Sequence, residues 1–159
     1  GIKRVVFASS SSVYGNDTPV PFKEEYPTLR PISPYAATKV AGELLCRTHA
    51  SLNGTKIVAL RFFTVYGPRQ RPDLAIRKFA ESMLDGRAIP VFGDGSTARD
   101  YTWIGDITDG VSAAIERTER MATGVDIINL GEATTTTLSG LIDLLESALG
   151  IVGHCSQAT

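Results

Sequence analysis

The sequence predicts an α/β domain built on a parallel sheet, and three observations carry that expectation. Short β-branched and apolar runs alternate with longer segments of helical periodicity. The runs Val5-Val6-Phe7-Ala8 and Ile57-Val58-Ala59-Leu60 are continuous rather than alternating, as expected of strands buried on both faces. The 159 residues, 43% hydrophobic and 21% charged, suffice for a real core without disulfide support.

Each element follows from local signals. Val5 to Ala8 comes after Lys3-Arg4 and runs into four serines, Ser9 to Ser12, so a buried strand gives way to a loop. A parallel strand needs a parallel neighbour, so the chain reads as a piece of a larger fold. Residues 16–34 hold five of the eight prolines. They form a long irregular excursion, the kind of loop that tends to carry function. Ser33-Pro34 opens a helix, with Ser33 as N-cap and Pro34 at the first helical position. That helix is expected over Tyr35–Ser51, stopped by Asn53-Gly54. Ile57 to Phe63 is the second strand, broken by Tyr66-Gly67-Pro68. A helix over Leu74–Leu84 ends at Asp85-Gly86. Ile89–Phe92 is a short strand before the turn Gly93-Asp94-Gly95, and Tyr101–Ile104 is extended. Asp106 is expected to cap a helix reaching about Arg120, and Asp126–Leu130 is a strand. Thr137 or Leu138 opens a last helix with apolar residues at 138, 141, 142, 145 and 149, one face of a helical period. Periodicity then stops. The expected division is therefore a body over residues 1–150 and an irregular tail over 151–159.

Composition excludes several functions. Sixteen basic and 17 acidic residues leave a net charge of −1, so no broad field exists to hold nucleic acid or an anionic membrane. No apolar run approaches the about 20 residues that span a bilayer. Cys46 and Cys155, with two histidines, fit no metal-ligand spacing. The expectation is a cytoplasmic, reducing setting without metal, membrane or nucleic-acid partners.

Tyr35 and Lys39 carry the chemistry. Four residues apart at the start of a helix, they project from one face. A tyrosine is a poor base at neutral pH, because its phenol ordinarily ionises near pH ~10. A lysine ammonium beside it favours the phenolate and makes it a usable proton acceptor for a hydroxyl. The spacing is common in helices, so its setting matters. The run Ser9 to Ser12 lies just past a strand's carboxyl end, where open α/β sheets bind ligands.

Four segments extend that setting: Ala8-Ser-Ser-Ser-Ser-Val-Tyr-Gly15, Ser33-Pro-Tyr-Ala-Ala-Thr-Lys-Val-Ala-Gly-Glu43, Leu60-Arg-Phe-Phe-Thr-Val-Tyr-Gly-Pro68 and Arg99-Asp-Tyr-Thr-Trp-Ile-Gly-Asp106. In this order and spacing the chain resembles the extended short-chain dehydrogenases that act on nucleotide sugars, over about Lys3 to Gly150. The resemblance implies an incomplete Rossmann-type parallel sheet lacking its amino-terminal half, with parts of a small substrate-binding domain. The glycine-rich dinucleotide fingerprint and the acidic residue that reads the ribose are absent. The implied cofactor is NAD, with NADP left open.

The resemblance also implies roles. Tyr35 is the acid/base, Lys39 its electrostatic partner and holder of the nicotinamide ribose, and Ser10 the catalytic hydroxyl. Ser9 and Phe62 join Tyr35 and Lys39 on the cofactor side. Ser11, Ser12 and Thr64 face the sugar. Arg99 grips the diphosphate, a job suited to a guanidinium fork, with Val91 in the Pro90–Gly93 segment. Arg71 meets a sugar carboxylate if the substrate is a uronate. Relatives that eliminate water or carbon dioxide place an acidic residue just before Val-Tyr-Gly, where this chain has Ser11 and Ser12. The implied reaction is therefore 4-epimerisation of a nucleotide sugar by transient oxidation at C4. The pairs UDP-glucose/UDP-galactose and UDP-glucuronate/UDP-galacturonate both remain open. The alternatives are a non-catalytic fragment that binds nucleotide sugar or self-associates, and a dehydratase or decarboxylase. The family's dimers pack the Tyr35-type helix into a four-helix bundle, so a homodimer or other self-association is expected. Cys46 and His49 read as packing or surface, Trp103 as core or base-stacking, and Arg30 as a solvated charge.

Overall fold

The computed structural model describes residues 1–158; Thr159 lies outside the described residues. In chain order the elements are β1 (Arg4–Ser10), α1 (Pro34–Asn53), β2 (Lys56–Phe62), β3 (Thr64–Tyr66), α2 (Ala75–Leu84), β4 (Ile89–Phe92), β5 (Ala98–Arg99), β6 (Tyr101–Trp103), α3 (Ile104–Arg120), β7 (Gly124–Leu130), β8 (Thr136–Thr137), α4 (Leu138–Leu149) and β9 (Cys155–Ala158). A single 3-10 turn, Ser11–Tyr14, follows β1. The chain divides into two units. The first comprises Gly1–Phe63 and Gly105–Gly131, the second Thr64–Ile104 and the chain from Glu132 onward.

The first unit is a three-stranded parallel sheet in the order β1-β2-β7. Its strands end flush, with Ser10, Phe62 and Leu130 in one row. Side chains alternate between the faces of a strand, so the sheet presents two different surfaces. On one, Val58 and Leu60, essentially fully buried, pack with Ala114 of α3 and with Val6, Phe62, Val111, Met121, Ile128 and Leu130. Burying a side chain such as Leu60 contributes roughly 1.5–3 kcal/mol. The other surface carries the rows Phe7–Ala59–Ile127 and Ser9–Arg61–Asn129, and α1 packs against it. Ser33 caps α1 by accepting a hydrogen bond from Ala36 N at 3.1 Å. Gly54, at φ 61°, ends it in the left-handed region and returns its N–H to Ala50 O.

The second unit is assembled from two-stranded pieces. β3 pairs with β6 and β4 with β9, both parallel, while β5 pairs antiparallel with β8. Helices α2 and α4 enclose its core of Phe79, Met83, Ile89, Leu141 and Ile142. Thr137 caps α4 through Gly140 N at 3.0 Å, as its position before Leu138 implies.

Three expectations are corrected. The strand expected over Ile57–Phe63 ends at Phe62, and Thr64–Tyr66 is a separate strand in the other unit. Helix α3 starts at Ile104, so Asp106 lies in its first turn rather than capping it. Residues 151–158 are not an irregular tail. Cys155–Ala158 forms β9 in register with Ile89–Phe92, Ile89 N–H bonds His154 O at 2.7 Å, and Gly153 N–H bonds Glu146 Oε1 at 2.7 Å. A four-residue strand carries too little periodicity to be seen alone, and its partner lies far upstream in the sequence.

Candidate active site

The serine run and the start of α1 meet at the carboxyl end of β1. Ser9 is buried as the strand ends. Ser10, also buried, opens the 3-10 turn, and its hydroxyl accepts Ser12 N–H and donates to Ser12 Oγ, both at 3.2 Å. Ser11 is half-buried and Ser12 exposed. Tyr35 stands in the first turn of α1 with 56% of its surface accessible. Lys39 lies one turn later. Its ammonium donates to Ala8 O at 2.8 Å and sits 5.4 Å from the Tyr35 ring centroid. The structure thus brings Tyr35, Lys39 and the serine segment to one strand end. Phe62 is half-buried against the α3-side cluster.

The remaining residues singled out from sequence lie in the second unit. Thr64 begins β3, half-buried, and its N–H bonds Asp100 O at 3.0 Å. Arg99 is exposed on β5, opposite Thr136. Asp100 beside it accepts from Glu132 N and Ala133 N, both at 3.1 Å, and from Thr102 Oγ1. Val91 packs on the core of that unit. The Arg71 fork is engaged by Asp73, whose Oδ1 lies 3.0 Å from Nε and whose Oδ2 meets the second guanidinium nitrogen. Of the residues given bland readings, three are in the first unit: Cys46 is half-buried, His49 exposed beside Asn53, and Arg30 exposed against Asp17. Trp103, in the second, is exposed rather than core, its ring edge-on to Tyr66 at 5.5 Å.

Sequence reasoning missed the polar network beneath the serine segment. Arg61 and Glu43 are 2% and 3% exposed. They form a bidentate pair, Nε to Oε1 at 2.9 Å and a second nitrogen to Oε2 at 2.8 Å. Ser9 Oγ donates to the same Oε1 at 2.5 Å. Arg61 also donates to Glu24 O at 3.3 Å and stacks 4.7 Å from the Tyr14 ring centroid. Tyr14 OH donates to Asn129 Oδ1 at 2.6 Å and its ring stacks on Phe22 at 4.4 Å. Asn129 bonds Phe22 O and, through its N–H, Glu24 Oε1. The proline-rich excursion is therefore tied to the sheet. Two signals were present in the sequence. A charge inside an otherwise apolar strand demands a partner, and Glu43 falls two turns after Tyr35 on the same helix face.

Electrostatics fix the protonation of this network. Burial alone would push the Glu43 carboxyl up, but the hydrogen bonds and charge of Arg61, with the Ser9 hydroxyl, outweigh it and hold Glu43 below its ordinary 4.5. Burial works against the Arg61 cation, and Glu43 and Tyr14 reverse that, so Arg61 titrates above its ordinary value. Burial pushes the Tyr14 phenol up, more than Arg61 and Asn129 draw it down. The pair is ionised at neutral pH.

Comparison with known proteins places this arrangement. Residues 1–131 match the model of the NAD dependent epimerase/dehydratase family. The chain belongs to that family. Among curated proteins it is 42% identical over 151 residues to a UDP-glucuronate 4-epimerase of Thermodesulfobacterium geofontis, covering 94% of this chain and 45% of that protein. It is 42% identical over 160 residues to UDP-glucuronate 4-epimerase 4 of Arabidopsis thaliana, covering 92% and 36%. Among solved structures, UDP-glucuronic acid 4-epimerase from Bacillus cereus, in complex with UDP-glucuronic acid and NAD, superposes with a TM-score of 0.89 at 36% identity, over 100% of this chain and 49% of that one. UDP-glucose 4-epimerase of Thermus thermophilus, complexed with NAD, gives 0.85 at 30% identity, over 98% and 51%. The chain thus spans about half or less of the length of these proteins.

The epimerase/dehydratase family is NAD-dependent, and the residues present fit the nicotinamide-ribose side of that cofactor. An ammonium has three donors; Lys39 gives one to Ala8 O and stands beside an accessible phenol, a donor set that suits hydroxyl groups. The glycine-rich segment 93–98 does not fit the pyrophosphate. Gly93-Asp94-Gly95-Ser96-Thr97-Ala98 spells G-x-G-x-x-A after β4, but it leads into β5 rather than a helix. Asp94 turns its carboxylate inward onto Ser96 N at 3.0 Å and Ser96 Oγ at 2.5 Å. A helix N-terminus aimed at phosphate is what that motif requires. Among the described residues no helix is long and apolar enough to cross a membrane, and no three metal-ligating side chains converge.

Proposed function

We propose that this chain is the acid/base-bearing part of an NAD-dependent nucleotide-sugar 4-epimerase, with UDP-glucuronate as substrate. The observation that carries the reading is the Tyr35–Lys39 pair held at the carboxyl end of β1 by the Lys39–Ala8 bond. NAD, when bound, supplies the oxidation and reduction at the sugar carbon. The chain's own residues do the rest. The Tyr35 phenol oxygen takes the proton of the C4 hydroxyl and later returns it. The Lys39 ammonium favours the phenolate and holds ribose hydroxyls. Ser10 orients the sugar hydroxyl, with Ser11, Ser12 and Thr64 toward the sugar and Ser9 and Phe62 on the cofactor side. Arg99 and Val91 belong to the nucleotide grip, which must be firm while the sugar turns.

The uronate is favoured by the 42% identity to relatives named for UDP-glucuronate. UDP-glucose is the second reading, and the engagement of Arg71 by Asp73 favours it, since a neutral sugar needs no carboxylate clamp. A cytoplasmic setting and self-association complete the proposal. Ala37, Ala41, Leu44, Leu45 and Leu52 give α1 an exposed apolar stripe, and β1 pairs on one side only among the described strands. The test is to incubate the chain with NAD and each sugar nucleotide separately and resolve the products by chromatography. Formation of the galacto epimer, abolished in Tyr35→Phe, supports the reading and names the sugar. Loss of water or carbon dioxide points to the dehydratase or decarboxylase alternative. Binding of the nucleotide sugar without any product makes the chain a non-catalytic fragment.

A further inference from the structure

Tyr35, Lys39 and Glu43 recur every four residues and form one stripe along α1. Two of the three touch β1 at successive residues. Lys39 Nζ bonds Ala8 O, and Glu43 Oε1 accepts from Ser9 Oγ. Arg61 grips the same Glu43 carboxylate with two nitrogens from β2. A bidentate guanidinium–carboxylate pair fixes orientation as well as distance. The helix is thereby held against both strands in rotation and along its axis. Ser9 immediately precedes Ser10, so the carboxylate that fixes the helix also fixes the strand end from which the serine turn starts.

We propose that the buried Glu43–Arg61 pair is a positioning device that sets Tyr35, Lys39 and the Ser9–Ser12 segment relative to one another. The inference rests on the reading of Tyr35 as acid/base. Stability alone does not account for the pair. Two ions removed from water lose hydration that their mutual attraction barely offsets, and apolar residues of similar volume are frequently as stable or more so. What apolar residues lack is direction. They would fill the space between α1 and β2 without fixing how α1 is turned, and the Lys39–Ala8 bond one turn away depends on that angle. Arg61 extends the device to the proline-rich excursion through Glu24 O and the Tyr14 ring. Glu43 and Arg61 touch neither reactant in this reading and act through their neighbours.

The test compares wild type with the double variant Glu43→Met/Arg61→Met and with Ser9→Ala. The first readout is the acetylation rate of Lys39 by an amine-selective reagent, followed by mass spectrometry and normalised to the exposed Lys78. The second is amide hydrogen exchange over residues 9–14 against residues 57–60 in β2. A hydrogen bond to a charged group corresponds to at least about a tenfold change in such equilibria. In the double variant, Lys39 acetylation and exchange over 9–14 should rise by about that factor while 57–60 stays within about twofold. Ser9→Ala should move both in the same direction, and it carries the test alone if the double variant does not fold. Unchanged Lys39 and 9–14 would overturn the proposal, and so would a uniform rise that includes 57–60, which marks a merely structural pair. With active wild type, kcat should fall while KM for the nucleotide sugar holds. Silent wild type makes this chain a non-catalytic fragment, and the labelling still judges the positioning.

Discussion

Replacing Gly42 by alanine tests how closely α1 is seated on the sheet. Two effects oppose each other. In a helix interior the change removes backbone freedom from the unfolded chain and contributes about 0.8–1.0 kcal/mol of stability. Against this, an alanine Cβ at position 42 would lie 2.3 Å from Phe7 Cζ and 3.0 and 3.1 Å from the two Cε atoms. Carbon atoms ordinarily rest about 3.5–4.0 Å apart, so the Phe7 ring must swing away or α1 must lift. Overpacking of this kind costs about 1–3 kcal/mol. The net expectation is a loss of about 1 kcal/mol, with Lys39 disturbed as well, since its ammonium lies 5.8 Å from the same ring. Urea titration followed by far-UV circular dichroism gives the midpoint, and hydrogen exchange over 57–60 assigns the change to the first unit. Tryptophan fluorescence would report the wrong one, because Trp103 belongs to the second. A variant more stable than wild type by the full helix-propensity gain would refute the close seating.

Further outcomes follow from other residues. Because the Glu43 carboxyl is depressed below 4.5 in the folded chain, its contribution is fully present above that value and is lost as pH falls through the folded one. Glu43→Gln should flatten the stability–pH slope below pH 4.5 and should already be weaker at pH 7, where Arg61 keeps an unneutralised buried charge; equal slopes would count against an ionised pair. Ser33→Ala removes the cap on Ala36 N and should cost about 0.5–2 kcal/mol, with faster exchange at the start of α1 seen by NMR. Thr55 is fully buried and its hydroxyl finds no partner among the described residues. Thr55→Val keeps the shape and should raise stability by about 1 kcal/mol, read from the urea midpoint; a lower midpoint would show that the hydroxyl is satisfied.

Much of the fold was legible because its signals are local. Ser33, Pro34 and Gly54 bracket α1 with caps that act within one turn, and the β1, β2 and β7 runs are apolar enough to announce burial. β3, β5, β8 and β9 were not seen. Each has two to four residues, too few for a period, and each exists because a distant partner supplies its hydrogen bonds. The site divides in the same way. Tyr35 and Lys39 declare themselves by spacing on one helix. Glu43 and Arg61 are on different elements, and their pairing appears only when α1 packs on β2. Arg61 nonetheless left a clue, since a cation cannot stay unpaired among Val58, Leu60 and Phe62.

The buried pair also bears on how the sheet finds its alignment. Sliding β2 by a single residue would turn Arg61 toward the apolar surface shared with Ala114 and leave Leu60 facing Glu43 and Ser9. Hydrophobic runs that are apolar on both sides discriminate poorly against such a slip. One stranded guanidinium in an oily layer, together with one unanswered carboxylate, makes the misaligned sheet costly. Arg61 then acts as an index pin, and a chain without it would have to choose its alignment from side-chain shapes alone.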